Sequence, residues 1–256
     1  MRRTALAAAL IPCALLLTAC GSSGATTGTV STTGTVSTTG ATGSSNAGLT
    51  QAELLARFKT ALANVTALHM KGGTTGGSSA FSMDMQINKD SSAEGTIVST
   101  GLTMPLIVVG GVSYVQITSS LASTIKSEAG ADASLLAEIV VGKWISSKSA
   151  IGSSMTAGLS SLTDFSQMTK ELGTASGDTF TYLDTSTVNG VQVAQYKDVS
   201  TNSGSAGTST LDIPLTGSPL PIEESGSSEG TVTFTWNEPT KVAAPPAADI
   251  INLPAA

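Results

Sequence analysis

The sequence predicts an α+β domain: one curved antiparallel β-sheet, a half-barrel, with helices on its concave face. Three observations carry that prediction. A capping box opens an amphipathic helical repeat just after Leu49. Strands with period-two hydrophobicity follow between Phe81 and Ile117. After a helical middle, a second block of strands runs from Thr179 to Asn237.

In chain order, residues 1–19 read as an export signal. Arg2 and Arg3 form a basic start, and Thr4 to Leu17 is almost wholly apolar. That run is shorter than the roughly 20 residues of a spanning helix. A charged start, a short apolar stretch and a small-residue end mark a cleaved export signal. Leu17-Thr18-Ala19-Cys20, followed by Gly21, resembles the bacterial lipobox. The resemblance implies acylation of Cys20, cleavage before it, and a chain anchored by lipid to the extracytoplasmic face of the cell membrane.

Composition narrows the chemistry. The chain has two cysteines, Cys13 in the signal and Cys20 at its end. A mature chain acylated at Cys20 has no free thiol and no disulfide, which excludes thiol catalysis, cysteine zinc sites and iron–sulfur clusters. The formal charge is −6, and charged residues are only 12% of the sequence. An acidic, sparsely charged surface lacks the clustered Lys and Arg that nucleic-acid binding needs. It equally lacks a basic patch for a membrane surface, so attachment rests on the lipid.

Residues 20–48 comprise the acylated Cys and a Gly/Ser/Thr tether. The hexad Thr27-Gly28-Thr29-Val30-Ser31-Thr32 recurs as Thr33-Gly34-Thr35-Val36-Ser37-Thr38. Such a segment has too little apolar surface to offset its ordering entropy, and its root-mean-square reach is on the order of 30 Å. Residues 49–256 are expected to form a single domain.

That domain opens with Thr50-Gln51-Ala52-Glu53, a capping box. Leu54, Leu55, Phe58, Ala61, Leu62, Val65 and Leu68 recur at helical spacing, and Gly72-Gly73 ends the run. A helix of about five turns is expected. The only histidine, His69, then falls near the helix C-terminus, as a dipole partner or surface residue rather than a catalyst.

Phe81, Met83, Met85 and Ile87 alternate with Ser82, Asp84, Gln86 and Asn88, the pattern of a strand. Residues 96–99, 104–109 and 112–117 follow as strands, the last two joined by Gly110-Gly111. Residues 121–126, 133–141 and 149–172 read as helical, with a short strand at 142–146 between them. Strands return at 179–184, 191–199, 208–213 and 220–224, with Asn189-Gly190 as a hairpin turn. The last, Thr231 to Asn237, sets Val232, Phe234 and Trp236 on one face. A proline-rich tail closes the chain.

In this order the chain resembles the actinobacterial LppX/LprG-type cell-envelope lipoproteins, which share a LolA-like half-barrel. The features are the opening helix; Gly110-Gly111-Val112-Ser113-Tyr114-Val115; Gly142-Lys143-Trp144-Ile145; Val188-Asn189-Gly190-Val191; Pro219-Leu220-Pro221-Ile222-Glu223; and Val232 to Pro239 followed by Val242 to Pro246. The resemblance spans Leu49 to about Pro246. It implies an apolar cavity between sheet and helices that holds or moves acylated lipid or lipoglycan, with no cofactor; a transporter partner in the envelope is not named by it. Gly/Ser-rich turns at 202–209 and 225–230 and the scarcity of aromatics depart from the family pattern.

Enzyme motifs are weak. Gly226-Ser227-Ser228-Glu229-Gly230 matches G-x-S-x-G, but a strand follows where a nucleophile elbow needs a helix. Ser123-Thr124-Ile125-Lys126 matches S-x-x-K without either companion motif. The acids are scattered, and Glu223 and Glu224 on a strand point to opposite faces. The chain is therefore expected not to be an enzyme. Phe81, Met83, Met85, Ile87, Leu106, Val108, Val232, Phe234 and Trp236 are the lipid-cavity candidates. The same stripes also fit a filled core, as in a structural or adaptor module of the envelope.

Overall fold

The computed structural model describes residues 44–74, 81–129, 140–157, 159, 163–174, 178–200, 207–226 and 230–251. The signal, Cys20, most of the tether and residues 133–139 of the helix expected over 133–141 lie outside these residues, and Val140 and Val141 form a turn.

The opening helix, α1 (Gln51–Leu62), forms where the sequence places its start. Thr50 Oγ1 accepts from the Glu53 amide, and the Glu53 carboxylate accepts from the Thr50 amide, which completes the capping box. Leu54, Phe58 and Leu62 are buried on one side. The helix stops at Leu62, two turns short of expectation. Leu62, Val65 and Leu68 keep a helical interval across the break, which disguises the change. From Ala67 the chain is strand β1 (Ala67–Thr74), with Leu68 and Met70 inward and His69 and Lys71 outward. His69 therefore belongs to a strand and faces no helix terminus.

Strands β2 (Phe81–Asn88), β3 (Ala93–Ser99), β4 (Leu102–Val109) and β5 (Val112–Gln116) extend the sheet as an antiparallel meander. Among the described residues the helical middle comprises α2 (Ser119–Ala129), α3 (Ala150–Thr156) and α4 (Phe165–Thr174), with β6 (Trp144–Ser146) before α3. Strands β7 (Asp178–Val188) and β8 (Val191–Ser200) form a long hairpin. Its turn is Asn189-Gly190, with φ of +50° and +84°, the backbone that Asn-Gly accommodates best. Strands β9 (Gly207–Pro214), β10 (Glu223–Gly226) and β11 (Gly230–Trp236) complete the second block.

The proline-rich tail is more than a tail. After a 3₁₀ turn at Ala247–Asp249 it ends in β12 (Ile250–Ile251), which pairs parallel with β6. On its way, Glu238 O accepts from Gln86 Nε2 and Thr240 O from Asn88 Nδ2. Lys143 Nζ then reaches Asp249 Oδ1 at 2.6 Å. Two residues carry too little periodicity to announce a strand in sequence.

Among the described residues the sheet has twelve strands in the order β12-β6-β5-β4-β3-β2-β1-β11-β10-β9-β8-β7. Its ends, β12 and β7, do not meet, so the sheet is open. All pairings except β12 with β6 are antiparallel. The architecture is the α+β half-barrel expected, with the apolar sides of the helices packed on one face. Leu54 and Phe58 of α1 meet Phe180, Tyr196 and Leu211; Ala61 and Leu62 of α1, Leu121 of α2, Met155 of α3 and Phe165 and Met168 of α4 meet the β1–β5 half. No helix of the described residues is long and apolar enough to cross a membrane.

The folded chain is already engaged ahead of Leu49. Ser45 bridges Thr216, and Asn46 is fully buried. The Asn46 side chain donates to Pro214 O and Gly217 O, and its carbonyl accepts from the Tyr196 hydroxyl at 2.6 Å.

Candidate functional site: the inner face

Cross-strand register shows how the inner face is built, since directly paired residues share a side. One row runs Phe234–Met70–Met85–Gly95–Leu106–Val115–Ile145. Beside it run Val232–Gly72–Met83–Ile97–Met104 and Trp236–Leu68–Ile87–Ala93–Val108. The nine cavity candidates named from sequence all fall in, or pack against, one apolar cluster on this face.

They differ in depth. Met85 (1% exposed), Ile87 (0%) and Leu106 (1%) lie at the bottom, and Met83 and Val108 are also buried. Phe81, Val232, Phe234 and Trp236 are half-buried. The last two form a stacked pair with ring centroids 6.1 Å apart. Trp236 Nε1 donates to Pro221 O at 2.7 Å, which leaves its ring body free to act as apolar surface. The inner face thus has a filled floor and a half-open aromatic margin along β11.

On β9 and β10 the inner face also carries one polar pair. Glu224, paired with Val232 and Leu211, accepts from Ser209 Oγ at 2.8 Å. Glu223 lies on the opposite face, as the strand period requires.

A groove of about 700 Å³ runs between α1 and the loop ahead of β10. Ala56, Ala61, Pro219 and Leu220 supply apolar surface; Arg57, Thr60, Asn64 and Asn237 supply polar groups. Ala61 and Leu220 also pack in the inner apolar cluster, so they form a wall shared by the groove and the inner face. Arg57 Nη1 donates to Ser45 O at 2.8 Å and to Asn46 Oδ1 at 3.1 Å. Sequence reading passed over this groove, because it joins residues from three distant stretches of chain. A smaller hollow of about 180 Å³ lies at Thr185–Thr187, Gln192 and Leu215.

The outer face carries the single histidine. His69 Nε2 lies 2.7 Å from Asp84 Oδ1, and Lys71 Nζ lies 2.9 Å from Asp84 Oδ2. The hydrogen bond from His69, then that from Lys71, holds the Asp84 carboxyl below its ordinary range. Lys71 is exposed, and His69 and Asp84 are half-buried. Of the hydrolase motifs, Ser123 Oγ donates to Ser119 O within its own helix; the serines of G-x-S-x-G lie outside the described residues. Among the described residues no group of three His, Cys, Asp or Glu could hold a metal.

An open half-barrel with an apolar concave face under short helices is a known class of architecture. Among solved structures, LprF from Mycobacterium bovis has it, with a TM-score of 0.50 and 12% identity over 75% of this chain and 95% of that one. The Mycobacterium tuberculosis lipoprotein LppX aligns over 76% of this chain and 100% of its own, with 18% identity and a TM-score of 0.46. At 12% identity, what LprF shares with this chain is the fold alone. No protein-family model and no curated protein matches the sequence.

Proposed function

We propose that this chain is an envelope lipoprotein, anchored through Cys20, that holds the acyl part of a lipid or lipoglycan against its inner face. It carries no covalent chemistry of its own. In this reading residues 1–19 are removed, the tether spaces the domain from the membrane, and the domain collects cargo there.

The observation that carries the reading is the depth profile of the inner face. Phe81, Val232, Phe234 and Trp236 remain half-buried beside a fully buried apolar floor. Their cover is a set of short helices rather than a second sheet, and helices can shift without breaking sheet pairing. Acyl chains entering there would gain about 0.8 kcal/mol per buried CH₂. The sequence resemblance to LppX/LprG-type lipoproteins and the lipobox support the same reading.

A second reading has its own observation. Met85, Ile87 and Leu106 are packed to 0–1% exposure, as in the closed core of an adaptor module. Titration of the unacylated chain (Cys20→Ser) with a fluorescent long-chain fatty acid separates the two. Saturable binding that falls at least tenfold in Phe234→Asp supports the carrier; absence of saturable binding supports the adaptor.

A further inference from the structure

We propose that the groove beside α1, with Arg57 as its cation, receives the anionic head of an amphiphile whose acyl chains lie on the inner face. The proposal rests on the carrier reading and adds to it a class of ligand.

Three observations carry it. The first is charge. The chain is acidic overall, yet this groove is lined by an arginine and by no carboxylate. Among the described residues no carboxylate forms an ion pair with Arg57. Glu53, one turn earlier on α1, feels the Arg57 charge, but its carboxylate is hydrogen-bonded to the Thr50 cap and forms no ion pair with the guanidinium. A guanidinium has five N–H donors. The described contacts of Arg57 use Nη1 alone, on two neutral oxygens.

The second is placement. Arg57 is half-buried, and Ser45 O and Asn46 Oδ1 fix the guanidinium. Asn46 is itself fully buried and tied to Pro214 O and Gly217 O. A cation held this way loses little rotamer freedom on meeting a phosphate or carboxylate, and its planar fork suits either.

The third is proximity. Ala61 and Leu220 line the groove and also pack in the inner cluster, so a single layer of side chains separates the two. In the proposal one molecule crosses this wall, with its chains along β11 and its head at Arg57. Ser44 also lines the groove. The tether leaves the domain there, so the groove lies at the point from which the chain runs back towards Cys20.

The test uses the unacylated chain (Cys20→Ser) with three probes: dioctanoyl phosphatidate, dioctanoylglycerol and glycerol 3-phosphate. Calorimetric titration is run on wild type, Arg57→Gln and Arg57→Lys, with thermal melts of each. The proposal expects phosphatidate to bind about tenfold tighter than dioctanoylglycerol, the worth of one or two charge-assisted hydrogen bonds at a half-exposed site. Arg57→Gln brings phosphatidate to the dioctanoylglycerol affinity and leaves the latter unchanged. Arg57→Lys retains part of the preference.

Equal binding of the two lipids by wild type, or a preference that survives Arg57→Gln, overturns the head subsite and leaves the carrier reading standing. Binding of glycerol 3-phosphate alone identifies a free-anion site and overturns both readings. No binding by any probe also overturns both. Should Arg57→Gln unfold, the wild-type salt dependence decides. A preference arising from charge shrinks between low and physiological ionic strength; one that does not change overturns the proposal.

Discussion

Met85 lies across the β2–β3 pairing from Gly95, and its side chain occupies the space a residue at 95 would fill. A Cβ on Gly95 would come within 2.7 Å of Met85 Sδ and 2.1 Å of Asp84 O. Neighbouring rows place Gly72 between Val232 and Met83, and Ala93 between Ile87 and Val108. The inner face thus pairs long flexible methionines with missing side chains. Such packing fills the floor, and the methionines can re-pack if something else enters.

Gly95→Ala is expected to destabilise the fold by about 2–3 kcal/mol, because the clash with Asp84 O involves backbone and cannot be relieved by a rotamer change. Urea unfolding at pH 7 reads the loss as a lower midpoint with an unchanged slope. A variant as stable as wild type would contradict the close approach.

Leu106→Ala removes a residue from the sealed floor and should cost about 2–5 kcal/mol. Truncation at the margin, Val232→Ala, should cost less than half as much, since Val232 is half-buried. Parallel melting curves check the ratio. Equal losses would mean that the margin is as closed as the floor.

Asp84 predicts an acid limb. Its carboxyl is held low by His69 and Lys71 in the folded state, against an unfolded value of about 3.9. A depressed carboxyl contributes stability that is fully present above the unfolded pKa and is lost as pH falls through the folded one. At this exposure the contribution is under about 1 kcal/mol. Asp84→Asn should therefore be slightly less stable than wild type at pH 6, and the difference should vanish well below pH 4. Unfolding midpoints at both pH values measure it.

Thr50→Ala should cost about 1 kcal/mol by removing the acceptor at the start of α1. Thr50→Ser should retain most of it, since the hydroxyl is kept. Thermal unfolding followed by far-ultraviolet circular dichroism compares the three chains.

Much of this was legible in the residues. The Thr50–Glu53 box, the strict alternation of β2 and Asn189-Gly190 each name a local structure that the fold keeps. What misled was periodicity shared by two structures. Leu62, Val65 and Leu68 continue a helical interval, while Leu68 and Met70 flanking His69 already follow the strand period. That single ambiguity put His69 on a helix instead of beside Asp84. The inner face was legible as stripes, because burial imposes period two on each strand. The Arg57 groove was not, since Arg57, Leu220 and Asn237 are brought together only by topology, and none carries a local signal.

The central claim is that the inner face holds acyl chains. Native mass spectrometry of the full chain, extracted from the membrane of an envelope-containing host, tests it most directly. The account predicts a co-purifying lipid at defined stoichiometry, in addition to the acylation at Cys20, that is lost in Met85→Gln and in Phe234→Asp. A chain that carries only its anchor, and still carries only its anchor after incubation with envelope lipids, would contradict it.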